Sequence, residues 1–153
     1  MYLVKAIKEK LDLICSFNIL RQSLLNKTLI INQSVLDSIL SYAKMAYPKE
    51  SILMLQGKTT KQRIEINEVI IPPFATHGQG FSSFSPFMLP ISFSIIGVAH
   101  SHPSGVLEPS TYDLNHVFGK FMVIVAYPFE TEKNIAVFDK DGNVIQYEIL
   151  DDT

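Results

Sequence analysis

Apolar residues recur along this chain with two periods, and the places where the period changes mark its elements. Val4, Ile7, Leu11, Ile14 and Phe17, then Leu20 and Leu24, follow helical spacing and predict an amphipathic helix over residues 3–25, interrupted near Ser16-Phe17-Asn18. Thr28 to Ile31 reads as a short strand. A second helix is expected from Ser34 to Ala46, with Val35, Ile39, Tyr42 and Ala46 on one face, Asn32 or Ser34 as its cap, and Pro48 ending it. Alternation then predicts a strand from Glu50 to Gln56, a turn over Gly57 to Lys61, and a returning strand from Gln62 to Ile71 closed by Pro72-Pro73. Ile91 to Ala99 is an apolar run and reads as a buried strand. The segment Ser110 to Phe118 reads as a helix with Gly119 just past its end. Phe121 to Tyr127 is a further buried strand. Ile135–Phe138 and Val144–Ile149 are expected to form a hairpin around the turn Asp139-Lys140-Asp141-Gly142. This order of elements predicts an α/β (α+β) class with a central mixed β-sheet flanked by helices.

The segment Phe74 to Leu89 breaks both periods. Its turn signals, Gly78, Gly80 and Ser82-Ser83, are interleaved with Phe74, Phe81, Phe84 and Phe87. So aromatic a loop either folds over the core or lines a binding wall. His77 within it is expected to be a loop histidine and not a ligand.

The chemistry gathers at the end of the Ile91 strand, where the chain continues His100-Ser101-His102-Pro103. Residues two apart on a strand point to one face, so both imidazoles project from the same side. Pro103 has no N–H and stops the ladder. Ser110 and Asp113, three apart, stand at the start of the next helix. There they also read as a cap and an acidic first-turn residue facing the helix dipole. Two imidazoles and one carboxylate make a three-ligand set, and catalytic zinc typically has three protein ligands with a fourth position for water. A structural zinc would want four ligands, usually with cysteine, and the chain's single cysteine, Cys15, is far away in sequence. His100, His102 and Asp113 are therefore the candidate metal ligands. From average residue frequencies, H-x-H-P-x6-S-x-x-D arises by accident in roughly one in 10⁵ chains of this length, which outweighs the reading of each residue as an isolated strand-end histidine or helix cap. His116, one turn beyond Asp113, is expected to be a helix-end residue.

The stretch resembles the signature of the JAMM (MPN+) metalloprotease family, H-[ST]-H-P-x6-S-x-x-D with a glutamate upstream, and matches every fixed position. The upstream glutamate often lies within P-x-E, here Pro48-Lys49-Glu50. The resemblance covers about residues 29–150 and is nearest to the short prokaryotic or archaeal form. It implies a JAMM/cytidine-deaminase-like architecture, a catalytic domain over 28–153, and an N-terminal helical extension over 1–27. It implies one Zn2+ per chain, Glu50 as the catalytic base, and Ser110 as donor to the tetrahedral oxyanion. It further implies hydrolysis of (iso)peptide bonds after the C-terminal Gly-Gly of ubiquitin-like proteins. Trimming of sulfur-carrier precursors and a non-catalytic scaffold are the alternatives, and the second is disfavoured because all five residues are present. The Phe74–Leu89 segment would lie beside the active site, against the extended substrate chain.

Composition narrows the setting. At 153 residues the chain is one domain plus its extension, with 47% hydrophobic residues. A net charge of −2 offers no nucleic-acid footprint. One cysteine suits a reducing compartment, and no apolar run approaches a membrane span, so a cytoplasmic protein without membrane contact is expected. The N-terminal helix either packs on its own domain or makes a contact with a partner, such as a homodimer.

Overall fold

A computed structural model describes residues 27–72, 76–78, 81–83 and 94–152, with only the backbone of 76–78 and 81–83. The helix expected over 3–25, all but the last residue of the extension over 1–27, most of the Phe74–Leu89 segment and the side chain of His77 lie outside the described residues. Two short strands do fall within that segment: β4 (Thr76–Gly78) and β5 (Phe81–Ser83) form an antiparallel ribbon of their own.

The other seven strands form one mixed sheet: β1 (Thr28–Asn32), β2 (Ile52–Thr59), β3 (Arg63–Ile70), β6 (Ile95–His102), β7 (Phe121–Ala126), β8 (Ile135–Asp139) and β9 (Tyr147–Leu150). Their order across it is β8-β7-β6-β2-β3-β1-β9. β6 and β7 run parallel, β2 runs antiparallel to both β6 and β3, and β1 runs parallel to both β3 and β9. The expected fold class, a mixed α+β chain around a central mixed sheet, is the one observed.

Helix α1 (Gln33–Ala46) lies against one face of the sheet. Its buried residues Val35, Leu36, Ile39, Leu40 and Ala43 recur at helical spacing, and they join Leu53, Leu55, Ala99, Val123 and Val125 in the main core. The opposite face carries a smaller cluster, Val98, Met122, Ile124 and Phe138, covered by Leu107, Leu114, Val117 and Phe118. Val98, His100 and His102 share a parity on β6, so both imidazoles belong to this second face.

Four expectations need correction. The predicted hairpin between Ile135–Phe138 and Val144–Ile149 is only begun: Phe138 and Val144 form a single bridge, and β9 then pairs with β1 at the other edge of the sheet. From Asn143, bonded back to Asp139 at 2.9 Å, to Tyr147 the chain advances four residues, at most about 14 Å. Six strand spacings in a flat sheet would need about 29 Å. The sheet is therefore curled, with its two edge strands brought near each other. Secondly, neither Asn32 nor Ser34 caps α1 with its side chain. Asn32 occupies the cap position without a side-chain bond, and the carboxylate of Asp152 accepts from the Ser34 amide at 2.9 Å and from its hydroxyl at 3.0 Å.

Thirdly, Gly57 does not open the turn after β2. It sits inside the strand at a register shift, where a Cβ would stand 2.0 Å from the Glu65 carbonyl oxygen. Lastly, the helix expected over Ser110–Phe118 is shorter: α2 spans Thr111–Asn115 with His116 as its C-cap. Val117 and Phe118 continue the apolar pattern, but they do so as cover for the small cluster. The chain turns away because Lys120 N–H bonds the Ile96 carbonyl at 2.7 Å, docking the following residues on β6. Gly119 makes the close approach possible. Its φ is +90°, and a Cβ there would meet Ile96 O at 2.6 Å and Gly97 Cα at 2.7 Å. Gly119→Ala is therefore expected to cost at least about 2 kcal/mol, read as a lowered urea midpoint with an unchanged slope.

Candidate metal centre

Three elements converge at the carboxyl end of β6. Its last residues present His100 and His102, the Pro103–Pro109 loop carries the chain over them, and α2 delivers Asp113. The loop is pinned to the strand it leaves, because Gly105 N–H bonds the His102 carbonyl at 3.1 Å. α2 begins with a capping box: the Asp113 amide donates to Ser110 Oγ (3.1 Å), and Asp113 Oδ2 accepts from the Ser110 amide (2.7 Å) and hydroxyl (2.6 Å). A cap thus fixes the carboxylate as well as the helix.

That carboxylate lies between the imidazoles. Its Oδ1 is 3.4 Å from His100 Nδ1 and its Oδ2 is 3.3 Å from His102 Nε2, and all three side chains are buried. In tetrahedral zinc sites, metal–ligand bonds of about 2.0–2.1 Å place neighbouring donors about 3.3 Å apart, so both separations match an edge of such a site. Each imidazole faces a different carboxylate oxygen, however, and among the described residues no three such side chains surround a common point at bonding distance.

Each histidine is prepared differently. His102 Nδ1 donates to the Val106 carbonyl at 3.0 Å, which directs its other nitrogen toward Asp113. Burial lowers the His102 pKa, but the bonds to Asp113 and Val106 outweigh it, and the net shift is upward. His100 has no hydrogen-bond partner among the described residues at either ring nitrogen. Burial above all pushes its pKa down to about 4, so it is neutral at physiological pH. A buried imidazole with nothing to bond is a group whose partner is still to come, and a neutral imidazole is the form that ligates metals. Asp113 is desolvated by burial, which raises its pKa, yet the bonds from His102 and Ser110 prevail and hold it well below the usual carboxylate range. Two nitrogen donors and an ionised carboxylate fit a borderline metal such as zinc.

Glu50 joins the constellation from the segment just before β2. Ile52 pairs with His100 and Leu53 with Ala99, and carrying that register on sets Glu50 across from His102. It is half-buried. Desolvation is the main reason its pKa is raised; His102 opposes the rise and Asp113 adds to it. Glu50, His100, His102, Ser110 and Asp113 are thus brought to one end of the sheet. His116, expected at a helix end, is there: its ring stacks on Tyr112 at 4.1 Å and its Nδ1 lies 2.8 Å from the Tyr112 carbonyl.

Sequence reasoning did not single out Tyr47 and Tyr127. Their rings meet at 5.2 Å, one just before the Glu50 segment and the other bonded through its amide to the His102 carbonyl at 3.1 Å. Both are half exposed. Nothing local marks them, since the two lie 80 residues apart.

Comparisons with known proteins point the same way. Residues 32–138 match the family described as prokaryotic homologs of the JAB domain. A relative from Haloferax volcanii named "Probable metalloprotease" is 27% identical over 128 residues, covering 79% of each chain. Among solved structures, one described as a JAMM metalloprotease-like zinc site in the proteasome and signalosome superposes with a TM-score of 0.60 and 27% identity, over 81% of this chain and 99% of the other. A JAB1/MPN domain protein from Archaeoglobus fulgidus gives a TM-score of 0.59 at 27% identity, over 80% and 97%. Among the described residues, no helix is long and apolar enough to cross a membrane.

Proposed function

This chain belongs to the family of prokaryotic JAB-domain homologs, and on that premise we propose that it is a zinc-dependent metalloprotease that hydrolyses (iso)peptide bonds after the C-terminal Gly-Gly of a ubiquitin-like protein. The observation that carries the catalytic part is the buried His100–Asp113–His102 arrangement with Glu50 set across from it. His100, His102 and Asp113 would hold the ion. Zinc, when bound by three protein ligands, polarises the scissile carbonyl and brings the pKa of water to about 7.

The other roles fall to the chain's own groups. Glu50 takes the proton from the attacking water and passes it to the leaving amine. Its raised pKa brings it nearer the operating pH, which favours a group that must accept and release a proton in turn. Ser110 orients Asp113 through two bonds to Oδ2. Its hydroxyl proton is directed to that oxygen, so donation to an oxyanion would require the hydroxyl to turn away from Asp113. Ser110→Ala is expected to keep its zinc, lose about 1 kcal/mol of stability with the cap, and turn over about 10²- to 10³-fold more slowly. Metal content, a melting curve and kcat on one preparation check all three.

The Gly-Gly preference follows from the family resemblance and from chemistry: glycine alone has no Cβ to keep the chain from lying close to a sheet edge. The test is a peptide ending in Gly-Gly joined to a lysine Nε, beside its linear counterpart. Cleavage should occur with zinc, stop with a chelator and return when zinc is restored. Stoichiometric zinc without cleavage of either peptide, or of a Gly-Gly-extended sulfur-carrier protein, would leave a scaffold as the better reading.

A further inference from the structure

The hydroxyls of Ser51 and Ser101 are buried polar groups that the chemistry above leaves unused. They face each other at 2.9 Å, on the side of the sheet where α1 packs and opposite the histidines. Their neighbours on that face are Leu53, Ala99 and Val125, among which an apolar side chain would sit without desolvation cost.

Their backbone bonding is unusual. In a hydrogen-bonded antiparallel pair, two opposed residues exchange both N–H···O bonds. The Ser101 amide does donate to the Ser51 carbonyl, at 3.0 Å. The Ser51 amide, in contrast, donates to the side-chain oxygen of Ser101, at 2.8 Å. A hydroxyl has replaced a carbonyl at the last rung between β2 and β6. Because that oxygen stands off the backbone toward α1, it draws the Ser51 amide to that side. The preceding residue is Glu50, which alternation turns to the other face, toward His102.

We propose that Ser101 is a positioning residue for Glu50: its hydroxyl is the rung that fixes where the start of β2 stands and thereby holds the carboxylate across from His102. The proposal rests on the reading of Glu50 as the proton carrier. Ser101 does not share the face of the candidate metal ligands. It lies between the two histidines in sequence but on the opposite face.

The test uses the full chain loaded with zinc and the peptide ending in Gly-Gly joined to a lysine Nε. Ser101→Ala should lower kcat about 10²-fold, the order expected when a reacting group is misplaced by about 1 Å. KM and zinc stoichiometry should stay as in the wild type, and the Ser51 amide should exchange with deuterium faster. Ser101→Thr, which keeps the hydroxyl, should restore both kcat and protection. Ser51→Ala should be much milder, because its amide still reaches Ser101. A Ser101→Ala variant as fast as an active wild type, one that loses zinc in step with activity, or one with unchanged Ser51 exchange overturns this proposal and leaves the functional reading standing. A zinc-loaded wild type with no turnover overturns the functional reading and this proposal with it.

Discussion

Zinc-loaded Glu50→Gln protein is expected to bind its metal as the wild type does and to hydrolyse Gly-Gly amides about 10²- to 10⁴-fold more slowly, the usual contribution of a positioned proton-transfer group. The substitution keeps the size and reach of the side chain while removing its charge and its capacity to accept a proton. Glu50 approaches from the segment before β2, whereas the candidate ligands stand on β6 and α2, so its loss leaves His100, His102 and Asp113 in place. Metal analysis and initial rates on the same sample make the comparison. Turnover within about threefold of the wild type would disqualify Glu50 as the proton carrier, while loss of the metal would mark it as a ligand.

The second large effect is expected at His102. His102→Ala should weaken zinc binding by well over 10²-fold and abolish hydrolysis, since groups that merely orient a ligand are already worth 10- to 100-fold. Deleting the ring also leaves the Val106 carbonyl without its donor and leaves Asp113 Oδ2 with Ser110 as its partner. Protons compete for this position as well. The His102 pKa is raised above its ordinary value of 6.5, so zinc affinity should fall as the pH drops through that raised value. His100, at about 4, adds no competition until the solution is far more acidic. Zinc titrations between neutral and mildly acidic pH read this slope. Stoichiometric zinc on the His102→Ala protein would remove His102 from the site.

Both effects concern residues legible in the chain, and the reason is local geometry. The period of two on a strand set His100 and His102 on one face, and three-residue spacing placed Ser110 and Asp113 together at a helix start. The central strands could be read in the same way, because their apolar runs respond to a core on both sides. What escaped was settled by contacts distant in sequence. The segment after Asp141-Gly142 alternates like the second arm of a hairpin, and only the curl of the sheet delivers it to β1 instead. The α2 pattern ran on through Val117 and Phe118 because packing over the small cluster imitates the apolar stripe of a helix. The Tyr47–Tyr127 pair and the hydroxyl rung at Ser101 had no local trace either, since each exists only once two separate segments have met.

The carboxylate of Asp152 has a practical bearing on how the protein is handled. It sits 118 residues from Ser34, yet it supplies the anion that the first turn of α1 would otherwise lack. A change that removes the Asp152 side chain would open this clasp. The loosened turn is the one that feeds Val35 and Leu36 into the main core. Loss of that carboxylate would then surface as a softened interior, well away from the altered residue.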